Sequence, residues 1–275
     1  MPEAPLSGGI LCPVDLSDQS ASVVRLAASL ANACSIPLVV VHALKSDVPP
    51  YFTQGGMERL EAELEQARGA SRQKLSLLVE GISGAEIRVE NGDPWSAIRR
   101  LSDSLGVAMI VMGTHKRAGL ARIEEGSIAE DVLHASTIPV LTVGPGDNIV
   151  TPPSIVCAVT DSALSRVSLS WAVSMAQCLR TPLTVLHVVE PGSPNTIADL
   201  CEWVGGDRPP GCHIQEVTRH GHPAEEILGL AGELGAGLLI IGAEHKLISD
   251  KTVIGSTAEK LLRQSPCPVL TVLQG

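Results

Sequence analysis

Asp15, Gly113, Gly126 and Ser127 have types and spacing that could do chemistry. Gly113 closes an apolar run, Ala108 to Met112, and Gly126-Ser127 opens an amphipathic stretch after a short loop. Backbone N–H groups at a helix start, approached closely through a glycine, make a site for phosphate. Asp15 follows the apolar run Gly9 to Val14, so its carboxylate could accept hydrogen bonds from a ribose or help hold a metal ion. The same glycines also suit a plainer purpose, a tight strand-to-helix turn that needs them only for backbone angles. Spacing alone leaves both readings open.

These residues belong to a pattern written twice. Gly113, Gly126, Ser127 and Pro139 recur 129 positions later as Gly242, Gly255, Ser256 and Pro268. At the front of each copy the offset is 145, shared by Ser17/Ser162, Ser20/Ser165, Pro37/Pro182 and His42/His187. The second copy has therefore lost 16 residues between His187 and Gly221. A repeat on this scale fixes the architecture before any finer reading.

The elements that must position the site follow from periodicity. In the first copy, strands are expected at Gly9–Val14, Leu38–Ala43, Glu86–Glu90, Ala108–Met112 and Pro139–Val143. Helices are expected at Ser20–Cys34, Pro94–Leu105 and Ser127–His134, and over a stripe from Met57 through Leu60, Leu64, Ala67, Ser71 and Leu75 to Leu78. Ser17 or Ser20 should cap the first helix. The second copy keeps only a stub, Thr196–Val204, where the first has its long helix. Strands alternating with helices imply a parallel sheet covered on both faces, and the apolar runs Leu38–Val41 and Leu183–Leu186 suit strands buried on both sides. Ligands in such sheets sit beyond the carboxyl ends of the strands, which places Asp15, Ala43 and Gly113 at the candidate site. The Pro- and Gly-bearing stretch 144–153 reads as the linker, giving domains 1–146 and 153–275.

Composition narrows the function. The chain has 275 residues, 44% hydrophobic, with a net charge of −10 and 2% aromatics. A basic footprint and stacking aromatics for nucleic acid are missing. No run approaches the roughly 20 apolar residues of a membrane span. Met1–Gly9 has none of the features of a signal peptide. Seven cysteines without a C-x-x-C pair suit buried free thiols in a reducing cytoplasm. There is no G-x-x-x-x-G-K-[ST], no G-x-G-x-x-G and no nucleophile–base–acid set.

Val111 to Ser127, with Ala129-Glu130-Asp131-Val132-Leu133 and Ile138-Pro139-Val140-Leu141, resembles the universal stress protein family, and Asp15-Leu16-Ser17 with Ser20 resembles that family's opening turn. The resemblance covers both halves. It implies two tandem five-stranded parallel α/β domains, Rossmann-like and adenine-nucleotide alpha-hydrolase-like. They would form an internal pseudo-dimer through Val140–Val143 and Val269–Val272. It implies a cytoplasmic, non-catalytic stress-response protein that binds an adenine nucleotide, ATP, with Mg²⁺ as its counter-ion. It further implies an unidentified protein partner and a homodimer of pseudo-dimers. Backbone near Ala43 would face adenine, and the Met112-Gly113 to Gly126-Ser127 loop would hold ribose and phosphates. The family's Gly-x-x-Gly is broken by Lys116 in the first half and His245 in the second, and Thr160 stands where Asp15 is expected to recur. Lys116 either obstructs the backbone's approach or, with Arg117 and Arg122, adds charge for phosphate. Gly242, Gly255 and Ser256 persist in the second half, whose site is expected to be weak or empty. The alternative is a nucleotide-free scaffold or chaperone-like module. His220, His222 and His245 raise zinc in the second domain, against solvated or packed histidines. His42 and His187 read as satisfied core residues, and His115 as either a phosphate contact or a surface residue.

Overall fold

The computed structural model describes residues 6–45, 54–114, 127–192, 197–205, 211–248 and 251–273. The first half runs β1 (Ile10–Pro13), α1 (Ser20–Cys34), β2 (Leu38–Leu44), α2 (Gln54–Leu78), β3 (Ala85–Asn91), α3 (Pro94–Leu105), β4 (Met109–Gly113), α4 (Ile128–Ala135), β5 (Val140–Val143). The second runs β6 (Ile155–Val159), α5 (Ala163–Leu179), β7 (Leu183–Val189), α6 (Leu200–Gly205), β8 (Ile214–His220), α7 (Pro223–Glu233), β9 (Leu238–Ala243), β10 (His245–Ile248), β11 (Lys251–Ile254), α8 (Ser256–Gln264), β12 (Val269–Leu273).

Ten strands make one sheet in the order β3-β2-β1-β4-β5-β12-β9-β6-β7-β8. Each half contributes the same parallel order. They meet where β5 pairs antiparallel with β12, with Leu141 opposite Leu270, Thr142 opposite Val269 and Val140 opposite Thr271. Leu141 and Leu270 are repeat equivalents facing each other, so a pseudo-twofold axis passes between them. This joins the two halves through the strands that the family resemblance implied, and both residues are fully buried.

Strand alternation sends side chains to two cores. Ile10, Cys12, Met109 and Val111 pack under α1, α2, α5 and α6. Leu11, Ile110 and Met112 pack under α3, α4, α7 and α8. Both faces are covered, which is why these strands are continuously apolar. The long helix α2 is most deeply docked at its far end, with Leu60, Leu64 and Ala67 only half-buried. Ser71 and Leu75 are buried, whereas Met57 is 47% exposed. Its counterpart α6 begins at Leu200, later and shorter than the stub expected from Thr196. The linker turns on Asp147, whose Oδ2 accepts from the Gly144 N–H at 2.6 Å. Three of the seven cysteines are buried as expected, but Cys34, Cys178 and Cys212 are half-buried and Cys201 is exposed. Among the described residues, no helix is long and apolar enough to cross a membrane.

Candidate functional site

In the first half β1 lies between β2 and β4. The chain leaves β1 through α1 to one face and leaves β4 through α4 to the other. That divergence opens a crevice at the carboxyl ends of β1 and β4. Asp15 stands at its edge, exposed, just past the last β1 ladder bond, Val14 N–H to Val41 O at 2.9 Å. Its Oδ1 accepts from Ser17 N at 3.0 Å and from Ser20 Oγ at 3.1 Å. Between them Leu16 holds φ at 61°, a left-handed conformation that costs a non-glycine residue about 1 kcal/mol or more. The turn around Asp15 is thus strained, and the carboxylate itself pins it.

This geometry corrects the expected helix cap. Neither Ser17 nor Ser20 caps α1: the Ser20 hydroxyl is spent on Asp15, and Ser17 lies two residues before the N-cap position, in the Asp15 turn. Gln19 occupies the N-cap position without a side-chain cap bond. Its amide instead crosses to β5, Nε2 donating to Val143 O at 2.7 Å. The same carbonyl accepts from Thr114 N at 2.8 Å and Thr114 Oγ1 at 3.3 Å. Gly113 lies beneath this knot. A Cβ there would stand 3.3 Å from Gln19 Cδ and Val23 Cγ2, so its missing side chain admits the first turn of α1 onto β4.

Across the crevice α4 begins. Ser127 is its N-cap, Oγ accepting from Glu130 N at 3.2 Å. The first turn carries Glu130 and Asp131, which already answer the positive end of the helix dipole. A polyphosphate held there would need a cation of its own. Ala43 sits near the end of β2. The β2 carbonyls of Pro37 and Val41 face β1, and the same alternation turns the backbone polar groups of Ala43 toward the β1 side, beyond the last bond of that ladder. That edge is suited to hydrogen bonding with a planar base. Met112 turns its side chain into the core, leaving only its backbone at the site. Lys116, Gly126, His115, Arg117 and Arg122 lie outside the described residues. Asp93 caps α3 beside β3, its Oδ2 accepting from Ser96 N at 2.9 Å and Ser96 Oγ at 3.0 Å. These bonds hold its carboxyl below the ordinary value of 3.8.

The second half has the same frame, closed. Thr160 is bound into a hydroxyl cluster: its Oγ1 lies 3.2 Å from Ser165 Oγ, and Ser162 Oγ donates to Ser165 Oγ at 3.1 Å. His187 is fully buried. Its Nε2 accepts the Ile197 N–H at 3.0 Å, which places the ring proton on Nδ1, 3.1 Å from Val159 O. Ile197 and Leu200 are buried in the core beside it. Arg166 lies over the Trp203 ring at 3.7 Å and donates to the Trp203 carbonyl. The segment leading into α6 is thereby fastened to the sheet and to the first turns of α5. His42 is satisfied in the first half too, its Nδ1 2.8 Å from Val14 O.

The loop after β9 is the largest departure from expectation. Instead of a phosphate-binding loop it forms the antiparallel hairpin β10–β11, pairing His245 with Ile254 through Ile248 with Lys251. His245 Nε2 reaches the first half, 3.0 Å from Leu133 O at the end of α4. A Cβ on Gly242 would stand 2.9 Å from both Leu164 Cγ and Ser168 Oγ, so this glycine is required by the packing of α5. Gly255, not Ser256, is the N-cap of α8, and no side chain caps that helix. His220 and His222 are exposed, and His245 is turned toward α4. Among the described residues no three His, Cys, Asp or Glu side chains converge as a metal site. Sequence reasoning missed the hairpin, the Arg166–Trp203 clasp and the strained Leu16. The apolar pairs Leu247-Ile248 and Val253-Ile254 on either side of Ser249-Asp250 were the available signal for the hairpin.

Comparison with known proteins agrees with this geometry. The profile described as the Universal stress protein family matches residues 8–144 and 205–272. A universal stress protein of Mycolicibacterium smegmatis is 25% identical over 286 residues, covering 96% of each chain. One from Mycobacterium tuberculosis is 22% identical over 290 residues, covering 97% of each. The crystal structure of a universal stress protein from Archaeoglobus fulgidus superposes with a TM-score of 0.73 at 23% identity, covering 99% of this chain and 100% of that one. The last likeness concerns the fold alone.

Proposed function

The chain belongs to the universal stress protein family, and on that premise we propose that its first half binds one adenine nucleotide, ATP with Mg²⁺, while the second half binds none. The observation that carries this reading is the difference between Asp15 and Thr160, the same position of the two copies. In the first half Asp15 is an exposed carboxylate past the end of β1, Ser127 caps the start of α4, and the Ala43 backbone edge lies past the last β1 ladder bond. In the second, Thr160 is locked among hydroxyls, Ile197 is bound to His187, and the loop is spent on a hairpin.

The role is regulatory and non-catalytic. Asp15 Oδ1 already accepts two hydrogen bonds from its own turn, which suits a ribose or cation contact better than proton abstraction. Glu130 and Asp131 at the α4 start favour a phosphate chain that brings Mg²⁺ with it. Domains at 1–146 and 153–275, a cytoplasmic location, an unidentified protein partner and a homodimer of pseudo-dimers belong to the same proposal.

Native mass spectrometry of protein purified without nucleotide, then given excess Mg-ATP, tests it. One ATP per chain, lost in Gly126→Trp and in Asp15→Ala but kept in Thr160→Ala, is the expected result. Two equivalent ATP molecules would refute the asymmetry. None would refute nucleotide binding and leave the scaffold reading.

A further inference from the structure

α1 and α5 are repeat equivalents that pack against each other across the boundary between the halves. Cys34 is the last residue of α1 and Cys178 lies one residue before the end of α5. Subtracting the repeat offset of 145 puts Cys178 at the place of Ala33. The two cysteines thus occupy adjacent positions on helices related by the pseudo-twofold axis, where such helices meet near the axis itself. Both side chains are half-buried, which leaves them reachable from solvent. Each helix ends at once in a left-handed residue, Ser35 with φ 55° and Arg180 with φ 53°, so both cysteines sit in a fixed final turn. Burial, and then the facing Cys178 thiol, push the Cys34 thiol up to about 12. Cys34 is thereby held protonated beside its neighbour.

We propose that Cys34 and Cys178 form a peroxide-sensitive dithiol that closes to a disulfide between the two halves. The oxidant is a hydroperoxide. The Cys178 sulfur attacks one peroxide oxygen and the O–O bond breaks; with hydrogen peroxide the departing hydroxide leaves as water with the thiol proton. The resulting sulfenic acid is attacked by the Cys34 sulfur, the S–O bond breaks, and the second hydroxide leaves as water with the Cys34 proton. Two thiols lose two electrons in all, and one peroxide is reduced to two waters. The raised Cys34 thiol makes it the poorer attacker of peroxide and so leaves the first step to Cys178; in the second step Cys34 also reacts as the thiolate, helped by the adjacent position of the sulfenic acid. The bond would fasten α1, which follows the Asp15 turn, to α5, which follows the equivalent Thr160 turn.

The reduced full-length chain, treated with hydrogen peroxide, alkylated, digested and mapped by mass spectrometry, tests this. The expected product joins the Cys34 and Cys178 peptides, lighter by two hydrogens, and reverts with dithiothreitol. Cys178→Ser should abolish it and Cys201→Ser should leave it intact. Cys12 and Cys157, fully buried and so out of reach of peroxide, serve as unreactive controls. Recovery of Cys34 and Cys178 as separate thiols or separate sulfinic acids, or joined to other cysteines, would overturn the proposal.

Discussion

Alanine at Gly242 should destabilise this protein far more than alanine at Gly113, although the two are the same residue of the repeat. Neither glycine has a positive φ, so the difference is one of space. At Gly242 the new Cβ meets Leu164 Cγ and Ser168 Oγ, both at 2.9 Å. Ser168 is fully buried and donates to Leu164 O at 3.0 Å, so both obstacles belong to one rigid stretch of α5. Relief requires the helix to lift from β9. Overpacking of this kind costs about 1–3 kcal/mol, and two backbone-tied neighbours point to the upper part, ~2–3 kcal/mol. At Gly113 the neighbours are 3.3 Å away and one is a glutamine side chain. The strain there is smaller, at or below the lower end of the same range, about 1 kcal/mol or less. At roughly 2–4 °C per kcal/mol for a chain of this size, Gly242→Ala should lower Tm by about 4–12 °C and Gly113→Ala by less than about 4 °C, the chain-entropy gain of replacing glycine being common to both. Scanning calorimetry of the two variants with the parent makes the comparison. The Gly113 Cβ direction points to α1, so Gly113→Ala should also retain its ATP. Equal losses of Tm, or a larger one at Gly113, would refute the packing argument.

Other changes have equally definite outcomes. His187→Ala removes the acceptor of the buried Ile197 N–H and leaves a void, for a loss of about 3 kcal/mol; amide exchange at Ile197 should accelerate, and unchanged protection would show that the bond does not hold the segment. Ser127→Ala removes the cap of α4 and should cost about 1 kcal/mol by urea denaturation, together with weaker ATP binding by titration calorimetry. Asp93 has a folded pKa below its unfolded value, so its stabilisation is present above the unfolded value and is lost as pH falls through the folded one. Asp93→Asn keeps the cap without the titration, and its urea midpoint relative to the parent should rise between pH 6 and pH 2.5.

The hairpin after β9 ties the second half to the first, through His245 and Leu133 in α4. Where the first half has α2, the second has only the six residues of α6, and the segment around it is drawn onto His187 and Arg166.

The residue order alone determined the repeat and the alternation of strands and helices, while the joining of the halves through Val140–Val143 and Val269–Val272 was implied by the family resemblance. The bounds of α1 and α3 are those that periodicity marks, Ser20–Cys34 and Pro94–Leu105. Such features depend on side chains a few positions apart, or on two copies read against each other, and both are visible along one dimension. The candidate site was legible as positions, not as geometry. Ser17 and Ser20 have the composition of helix caps, but the Ser20 hydroxyl goes to Asp15 and the turn sets the helix start past Ser17, which only the folded turn decides. Gly113 and Gly242 look alike in the sequence and differ by the neighbours that α1 and α5 bring to them. His245 is a broken motif in one dimension and a bridge to Leu133, 112 residues away, in three. Cys34 and Cys178 meet only because the halves dock about an axis. The tertiary structure decided these because each depends on where one half places its surface against the other, a quantity no local spacing encodes.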